Sequence, residues 1–505
     1  MFRLFHTVSY LLFVFCVSPF MGFSQQKEAI DLRIDLNKTY QTISNFAASD
    51  AWSCQFVGNW PDAARNTMAD WLFSMDTLPN GNPKGIGLSL WRFNIGAGSA
   101  QQGNNSGIHD EWRRAGSFIE KDSDNRQQAQ LWFLKAAKQR GVQQFLGFFN
   151  SPPVSLTGNG KAFAVKGQCN INNDHFNDFA QYAVNVLKNI RTTTGIIPKY
   201  ISPVNEPQWD WSDGGQEGCP YTNVQISGVV KAFNAAFLKN KVAATIIMPE
   251  SGSNKYLLED GDKPGRGNQV NAFFNPSSAD YIGNLPGVQK VIASHSYFTT
   301  SPFTEAIALR KKIAQAVETV NGLAWWQSEY CILGDNAGEM NGSGRDLGMD
   351  AALYLARCIH NDLVAGNAAA WQWWLAISPY NYKDGLIYID KNKTDGKYYD
   401  SKMLWAFGNF SRFVRPGMKR VEVPATNSEK VLVSAFKDEH KKKLVIVVIN
   451  NSTEEQELAI AGTGNKNRWN MYTTSSTASL AKQVLPSNHL KISPQTVVTL
   501  ETNYN

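Results

Sequence analysis

The sequence lacks the short motifs of several common enzyme classes. No C-x-x-C pair and no H-E-x-x-H occurs, so a zinc site has little support. No G-x-G-x-x-G follows the first predicted strand, which argues against a dinucleotide-binding fold. The one tight basic run, Lys441-Lys442-Lys443, opens an apolar strand and is typical of a solvated sheet edge. We therefore expect no metal, no cofactor and no nucleic-acid partner.

Long apolar runs are also scarce. Arg3 precedes a short apolar stretch, Leu11 to Val17, and Gly22-Phe23-Ser24 provides a small-residue cleavage zone. This pattern predicts an export signal over residues 1–24 and a periplasmic or secreted protein. No later stretch is long and apolar enough to span a bilayer, so no membrane span is expected.

Cysteine is sparse, with six residues in the chain. Cys16 lies in the predicted signal, and an exported chain with the remaining five must keep at least one free thiol. Cys169 and Cys219 both lie in Gly- and Asn-rich loops, so we take them as the candidate disulfide.

What the chain does contain fits a large globular protein. Of its 505 residues, 43% are hydrophobic and 18% are charged, and its net charge of +6 is spread along the chain. It holds fifteen tryptophans, whose flat apolar rings suit stacking on sugar rings. We expect most of them to fill the core, a few near strand ends to carry function, and the protein to be a monomer.

Eight short apolar runs alternate with stretches of helical periodicity. This alternation predicts a (β/α)8 barrel; a doubly wound open sheet is the competing topology. The stretch before the sixth strand, Asp260–Pro276, has weak helical character. The predicted strands are Ile43–Asp50, Gly87–Asn94, Val142–Asn150, Lys199–Asn205, Ala243–Glu250, Val291–Ser296, Leu323–Glu329 and Ala368–Leu375.

A second domain is predicted after Pro416-Gly417. Short alternating runs separated by turn residues follow, without a long helix, which is typical of a β-sandwich. Glu28 to Tyr40 also alternates, which predicts a half-buried antiparallel strand that needs a partner sheet. We therefore predict an N-terminal strand over residues 25–42 that joins the sandwich, a barrel over 43–414 and the sandwich over 415–505.

The ends of the predicted barrel strands are unusually polar. Active sites of such barrels lie at the carboxyl ends of the strands. The convergence of polar groups there is stronger evidence for a site than any single motif. Reading these ends in chain order gives Asp50, Arg92, Asn94, Asn150, Asn205, Glu206, Glu250, His295, Tyr297, Glu329 and Trp373.

Two of these ends carry a glutamate among aromatic residues. Pro207 stops a strand directly after Glu206, and Glu329 follows Trp325-Trp326-Gln327-Ser328. Two such carboxyl groups are what glycosidic bond cleavage requires, one as acid and one as nucleophile. We assign Glu206 as acid/base and Glu329 as nucleophile, about 5–5.5 Å apart as in retaining enzymes. The alternative is that each pairs with a cation at the barrel rim.

Three further residues are interpreted as supports of this pair. Asn205 is placed to hydrogen-bond a sugar 2-hydroxyl, or it only forms the turn before proline. Arg92 pairs with the nucleophile or is an ion pair of the barrel interior. Tyr297 is expected to donate to Glu329 and keep it charged.

Four residues are candidates for direct sugar contact. Asp50 would bind two hydroxyls, with an exposed loop acid as the alternative, and His295 would bind hydroxyls or be structural. Trp373 is expected to form the stacking floor, with Trp374 in the core, and Trp209 to bind substrate beside Glu206.

The motifs resemble glycoside hydrolase family 30. The resemblance rests on S-P-V-N-E-P-Q-W, W-Q-S-E-Y, N-S-P-P and H-S-Y in this order, and it spans nearly the whole mature chain. It implies a barrel with the acid/base after strand four and the nucleophile after strand seven, beside a β-sandwich built from both chain ends.

The longer V-N-E-P-Q-W-D-W, with D-A-W-S-C-Q-F-V-G after the first strand, is similar to the endo-β-1,6-galactanase branch of that family. The resemblance implies a retaining enzyme acting on the β-1,6-linked side chains of arabinogalactan. Val154-Ser155-Leu156 stand where many relatives carry a tryptophan, which leaves the sugar open. The alternatives are a β-1,6-glucanase, a xylanase, a glucosylceramidase-like enzyme, or a barrel that binds carbohydrate without cleaving it.

Overall fold

The structure is a computed structural model that describes Met1 and residues 29–119, 125–424, 429–463 and 468–504. Residues 2–24 of the predicted export signal, which include Cys16, lie outside these described residues. No helix in the described ranges is both long enough and apolar enough to cross a membrane.

The described residues form twenty β-strands, ten α-helices and six 3-10 helices. The strands are β1 (Ile30–Arg33), β2 (Asp35–Thr42), β3 (Asn45–Ser49), β4 (Leu90–Asn94), β5 (Gln144–Phe148), β6 (Tyr200–Ser202), β7 (Thr245–Ser251), β8 (Val288–His295), β9 (Ala324–Glu329), β10 (Ala370–Ser378), β11 (Gly385–Ile389), β12 (Tyr398–Asp400), β13 (Lys419–Glu422), β14 (Val431–Asp438), β15 (Lys443–Asn450), β16 (Gln456–Ala461), β17 (Trp469–Thr474), β18 (Ala481–Leu485), β19 (His489–Ile492) and β20 (Thr496–Asn503).

The α-helices are α1 (Cys54–Val57), α2 (Asp62–Phe73), α3 (Ser99–Gln102), α4 (Arg126–Gln139), α5 (Phe176–Thr194), α6 (Asn223–Asn240), α7 (Gln269–Phe274), α8 (Phe303–Glu318), α9 (Met349–Val364) and α10 (Lys402–Ser411). The 3-10 helices are Gly103–Ser106, Glu111–Arg113, Val154–Leu156, Asn173–His175, Asn254–Leu257 and Asn336–Gly338.

Strands β3 to β10 form a closed parallel barrel. Each pairs with the next in chain order, and β10 pairs with both β9 and β3, which closes the ring. All eight predicted strands are present, so the (β/α)8 barrel is confirmed and the open-sheet alternative is wrong. Two strands that the sequence analysis did not predict, β11 and β12, extend the sheet outward from β10.

The strands of the barrel are buried on both faces, and its helices are apolar on the face that covers them. Every residue of β3, β4 and β10 is buried, as expected of strands covered by helices outside and side chains inside. Helix α5 buries one stripe of apolar residues that includes Phe179, Ala183 and Ile190. It ends at Gly195, whose φ of 66° is a left-handed conformation that glycine adopts without a steric penalty. The segment 260–276, which has weak helical character in the sequence, contains one short helix, α7.

The C-terminal region forms a β-sandwich of a seven-stranded and a three-stranded sheet. The larger sheet has the order β18-β17-β20-β15-β14-β13-β2, and the smaller one β1-β16-β19. Both therefore contain a strand from the N-terminal segment, which confirms the predicted side sandwich. The domain boundaries at residues 42/43 and 414/415 stay a prediction.

The N-terminal segment differs from prediction in one respect. The expected single antiparallel strand is two strands separated at Ile34, and they join different sheets. β2 pairs antiparallel with β13, whereas β1 pairs parallel with β16. The alternation that suggested one strand is real, since Leu32 and Ile34 are buried in the sandwich core. The bend allows these residues to reach the space between the two sheets.

Helix α10 ties the barrel to the larger sheet of the sandwich. Asn409 is fully buried, and its Nδ2 donates to the Tyr472 carbonyl at 3.0 Å and to the Thr499 Oγ1 at 2.9 Å. The Thr499 hydroxyl in turn donates to the Asn409 carbonyl at 2.7 Å. Lys402 at the start of α10 adds a bond from its Nζ to the Ala478 carbonyl at 2.9 Å, so both ends of the helix help to fix how the two domains meet.

We expect Asn409→Ala to lower the free energy of unfolding by about 2 kcal/mol, because it leaves buried acceptors without a donor. Guanidinium unfolding followed by circular dichroism measures this. Asn185→Ala, on the exposed face of α5, is the matched control and should change stability by less than about 0.5 kcal/mol. Equal unfolding midpoints for the two variants would contradict the assigned role.

Candidate active site

Five charged or titratable side chains meet at the carboxyl ends of the barrel strands. Arg92 lies on β4, Glu206 follows β6, Glu250 lies near the end of β7, His295 ends β8 and Glu329 ends β9. All five are buried, with Glu206 6% and Glu329 3% exposed. The strand-end convergence predicted from sequence therefore occurs, and it includes Glu250.

The two predicted catalytic carboxyl groups lie close together. One oxygen of Glu206, one oxygen of Glu329 and one nitrogen of His295 all lie within 4.8 Å of one another. His295 Nδ1 is 2.9 Å from Glu206 Oε1 and 3.6 Å from Glu329 Oε1. The imidazole is thus in direct contact with one carboxylate and near the other.

Glu329 accepts hydrogen bonds from two side chains. Arg92 Nη1 donates to Glu329 Oε2 at 2.8 Å, and the Tyr297 hydroxyl donates to Glu329 Oε1 at 3.0 Å. Burial raises the pKa of Glu329, as do Glu206 and Glu250, whereas His295 and Arg92 oppose the rise. The expected contact between Tyr297 and Glu329 is present, and both donors favour the ionised carboxylate.

Glu250 is the third carboxylate of the cluster. It pairs with the Arg92 guanidinium, and its Oε2 is 3.4 Å from His295 Nε2. Burial works against its charged form, but Arg92 and His295 keep the pKa of Glu250 below its ordinary value. Both interpretations of Arg92 therefore hold, since it pairs with Glu329 and forms an interior ion pair with Glu250.

His295 is a cation in this environment. Burial opposes its charge, but Glu329, Glu206 and Glu250 raise the pKa of His295 to about 9. Its ring is fully buried, so the predicted contact with sugar hydroxyls needs correction: its nitrogens face carboxylates. A metal ion between Glu206, His295 and Glu329 would require a neutral imidazole, which this environment disfavours.

A cleft of about 740 Å³ opens above the carboxylates, a volume typical of ligand sites. Both Glu206 and Glu329 face it, as do Tyr297 and Trp209 among the predicted residues. Its lining also includes Asp210, Trp211, Ser212, Asp213, Gln216, Phe298, Leu333 and Trp374. A groove with both carboxyl groups at its floor can place a bond between them.

The predicted stacking floor needs correction. Trp373 is fully buried, and its Nε1 donates to the Asp384 carbonyl at 2.8 Å. Its neighbour Trp374 lines the cleft and meets Trp52 edge-on at 5.3 Å between ring centroids. The pairing of β10 with β3 shifts register between Trp373 and Leu375, which changes the face that each residue presents.

Asp50 and Asn205 are engaged within the protein. Asp50 is 1% exposed and accepts from the Asn94 amide at 2.8 Å and Gln130 Nε2 at 3.1 Å, so the predicted contact with two sugar hydroxyls needs correction. Asn205 accepts from Arg92 Nη2 at 3.2 Å and donates to Asn150 at 3.0 Å. Neither lines the cleft, although Asn205 directly precedes Glu206.

Several residues of the cleft and of the charged cluster below it have a strained backbone. Glu206, Trp211, Glu250 and Phe298 have φ between 45° and 59°, a region that costs non-glycine residues energy. Such outliers cluster at functional sites, where the surrounding fold holds them. Of these residues, sequence reasoning missed Phe298 and did not assign a role to Trp211 or Glu250; the M-P-E strand end at Glu250 was a usable signal.

A further buried carboxylate fixes the loop that follows Glu206. Glu217 accepts from the Ala97 amide at 2.9 Å, the Ser99 hydroxyl at 2.5 Å and the Ser99 amide at 3.3 Å. It joins this loop to the one that follows β4. Burial raises the pKa of Glu217 to about 7, although these bonds oppose the rise.

The predicted disulfide is absent. Cys169 and Cys219 are free thiols, as are the other cysteines in the described residues. They are neighbours, since the Asn170 amide donates to Cys219 Sγ at 3.3 Å and a hydrogen bond between the two thiols lowers the pKa of Cys169. The loops do meet as the sequence suggested, but without the covalent link.

Two family models match this chain. The model described as "O-Glycosyl hydrolase family 30" covers residues 29–388. The model described as "Glycosyl hydrolase family 30 beta sandwich domain" covers residues 417–500. Together they span both domains.

Known proteins agree with these matches. Glucuronoxylanase XynC of Bacillus subtilis is 24% identical over 368 residues, 71% of each chain, and a second form aligns at 28% over 158 residues, 30% of this chain and 34% of that protein. A conserved exported protein from Bacteroides fragilis has a crystal structure with TM-score 0.86 and 31% identity, over 93% of this chain and 100% of that one. The catalytic domain of xylanase C from Talaromyces cellulolyticus has TM-score 0.68 at 20% identity, over 93% and 99%.

The raised pKa of Glu217 predicts how the stability of the protein depends on pH. Between its ordinary value of 4.5 and about 7, the folded protein holds a proton that the unfolded chain has released. The free energy of unfolding therefore falls as pH rises through this window, and Glu217→Gln removes this contribution.

We expect the stability of wild type relative to Glu217→Gln to decrease steadily from pH 4.5 to 7.5, measured by guanidinium unfolding. Glu318→Gln, an exposed position on α8, should give no such trend. A difference between wild type and Glu217→Gln that is constant or rises with pH would show that Glu217 is not held protonated by burial.

Proposed function

The chain belongs to O-glycosyl hydrolase family 30, and on this premise we propose that it is a retaining hydrolase that cleaves internal linkages of a β-linked polysaccharide. The substrate we propose is a β-1,6-linked galactan of the arabinogalactan type. The observation that carries the proposal is the face-to-face placement of Glu206 and Glu329 under one cleft.

The spacing of the two carboxyl groups favours retention of configuration. Their nearest oxygens lie within 4.8 Å. Retaining glycosidases place the two groups about 5–5.5 Å apart, whereas inverting enzymes leave about 6.5–9.5 Å to admit a water molecule. The pair is therefore close enough for direct attack on the anomeric carbon.

Charge balance supports the division of roles. Glu206, Glu250 and Glu329 carry three negative charges when ionised, against the two positive charges of Arg92 and His295. One proton makes the cluster neutral. Glu329 accepts from Arg92 and Tyr297, which suits the nucleophile and leaves Glu206 for the role of proton donor.

In the first step Glu329 attacks the anomeric carbon while Glu206 gives its proton to the glycosidic oxygen. The bond from sugar to leaving group breaks, the leaving chain departs as an alcohol, and a covalent glycosyl-enzyme remains. In the second step ionised Glu206 takes a proton from water, and the water oxygen displaces Glu329 from the anomeric carbon. Both carboxyl groups return to their starting states.

The choice of galactan rests on the motifs around Glu206 and after the first barrel strand. Glucuronoxylan is the second candidate, because the curated relatives are glucuronoxylanases. A barrel that only binds carbohydrate is disfavoured, because both carboxyl groups are present. We also infer export, from the N-terminal residue pattern and from the exported relative of known structure.

We expect the wild type to release oligosaccharides from de-arabinosylated arabinogalactan, and Glu206→Ala and Glu329→Ala to reduce turnover at least about a thousandfold. Reducing-end release over a panel that includes glucuronoxylan and β-1,6-glucan measures both. Glu318→Ala is the surface control. Wild-type turnover in either active-site variant on every glycan would end the proposal, and preference for another glycan would replace only the galactan assignment.

Azide distinguishes the two roles. With a substrate that carries an activated leaving group, azide fills the space left in Glu329→Ala and attacks directly, which gives the α-glycosyl azide. In Glu206→Ala it attacks the glycosyl-enzyme, which gives the β-glycosyl azide. Proton NMR of the products identifies the anomer. The reverse pattern would exchange the assigned roles.

A further inference from the structure

Phe298 is an exposed aromatic residue inside the cleft. It follows Tyr297, beyond the end of β8, and its exposed fraction is 61%. Among the described residues no other phenylalanine or tryptophan falls in the exposed class. Large apolar side chains that face water in a cleft are typical of binding surfaces.

The backbone of Phe298 adds a second cost. Its φ is 59°, in the left-handed region, where a side chain with Cβ is strained. Exposure gives the folded protein no compensating burial. The conformation and exposure of Phe298 therefore do not stabilise the folded protein, which points to a role in binding.

Phe298 stands next to the loop of the proposed acid. Its ring meets the Trp209 ring edge-on, with 6.1 Å between centroids and 84° between planes. The Trp209 amide donates to the Glu206 carbonyl at 3.3 Å. The two rings thus form an aromatic wall next to the loop of Glu206, and the Phe298 ring also packs against the Tyr297 ring with 6.2 Å between centroids.

The indoles of this loop are held in place. A Cβ at Gly252 would lie 2.4 Å from Trp209 Nε1, and one at Gly218 would lie 2.3 Å from Trp211 Cδ2, so only glycine admits the rings there. Tyr256 packs edge-on against Trp209 at 6.0 Å, and Trp211 Nε1 donates to the Glu206 carbonyl at 3.1 Å. The wall is therefore preorganised, which lowers the entropy lost on binding.

We propose that Phe298, supported by Trp209, is the stacking platform for the sugar on the leaving-group side and determines the preference for polymeric over short substrates. This rests on the proposed function. The acid protonates the oxygen of the leaving sugar, so groups on its side of the cleft meet that sugar. Sugar rings present C–H faces to aromatic rings, and binding energy gained there can be used at the reacting bond.

The test measures how Phe298→Ala changes kcat/KM on two substrates. On de-arabinosylated arabinogalactan we expect kcat/KM to fall at least tenfold. On the β-fluoride of β-1,6-galactobiose, whose fluoride leaves the proposed platform empty, we expect a change of less than twofold. If the panel shows another preferred glycan, that polymer and the fluoride of its disaccharide take their places. An unchanged kcat/KM on the polymer, or equal losses on both substrates, would overturn the platform.

Two further variants separate binding from folding. Phe298→Gly relieves the left-handed strain, so its Tm should equal or exceed that of the wild type while polymer cleavage falls as in Phe298→Ala. Val224→Ala, on α6 and 66% exposed away from the cleft, should leave polymer cleavage unchanged. If the wild type cleaves neither the polymers nor the fluoride, the proposed function is overturned, and this inference with it. If the wild type cleaves the polymer and Phe298→Ala has the same kcat/KM on it, only this inference is overturned.

Discussion

The balance of charge between three buried carboxylates and two cations is the constraint on which the site depends. Arg92 bridges Glu250 and Glu329, and His295 lies within ion-pair distance of Glu206, Glu250 and Glu329, so each cation serves more than one acid. Removing one partner would leave a buried charge without compensation, which costs several kcal/mol. The network is thus a single unit in which Glu250, although it does not line the cleft, holds both cations in place.

The barrel supplies this unit with its geometry. Parallel strands bring residues distant in sequence to one rim, and β6 and β9 place Glu206 and Glu329 opposite each other. The loops then adapt the rim to a ligand. Glu217 joins two of them, and Gly218 and Gly252 leave room for the indole rings of Trp211 and Trp209.

Much of this arrangement could be predicted from sequence. The eight strands are short runs with polar residues at or beyond their ends, and N-E-P and S-E-Y identify the two carboxylates. The predicted strand end at Pro207 was wrong, because β6 already ends at Ser202, four residues before Glu206. Interior pairings were harder. Asp50 and His295 are polar residues at strand ends, yet their partners are Asn94, Gln130 and carboxylates rather than the cleft.

The remaining differences arise from tertiary structure. The pairing of β10 with β3 shifts register between Trp373 and Leu375, next to the tryptophan that lines the cleft, and no local sequence pattern predicts such a shift. The exposure of Phe298 depends on how the loops after β6 and β8 meet. The bend at Ile34 depends on two sheets that are formed more than three hundred residues later in the chain, since β2 pairs with β13.

That pairing has a consequence for biosynthesis. Strand β2 precedes the barrel and its partner β13 follows it, while β20 lies between β15 and β17 in the same sheet. The sheet therefore cannot be completed on the ribosome until residues 496–503 have emerged. Because domains fold as units, the barrel can form first, and the sandwich then closes over α9 and α10 as a late step. A chain that ends before residue 419 would leave these helices without the strands that cover them.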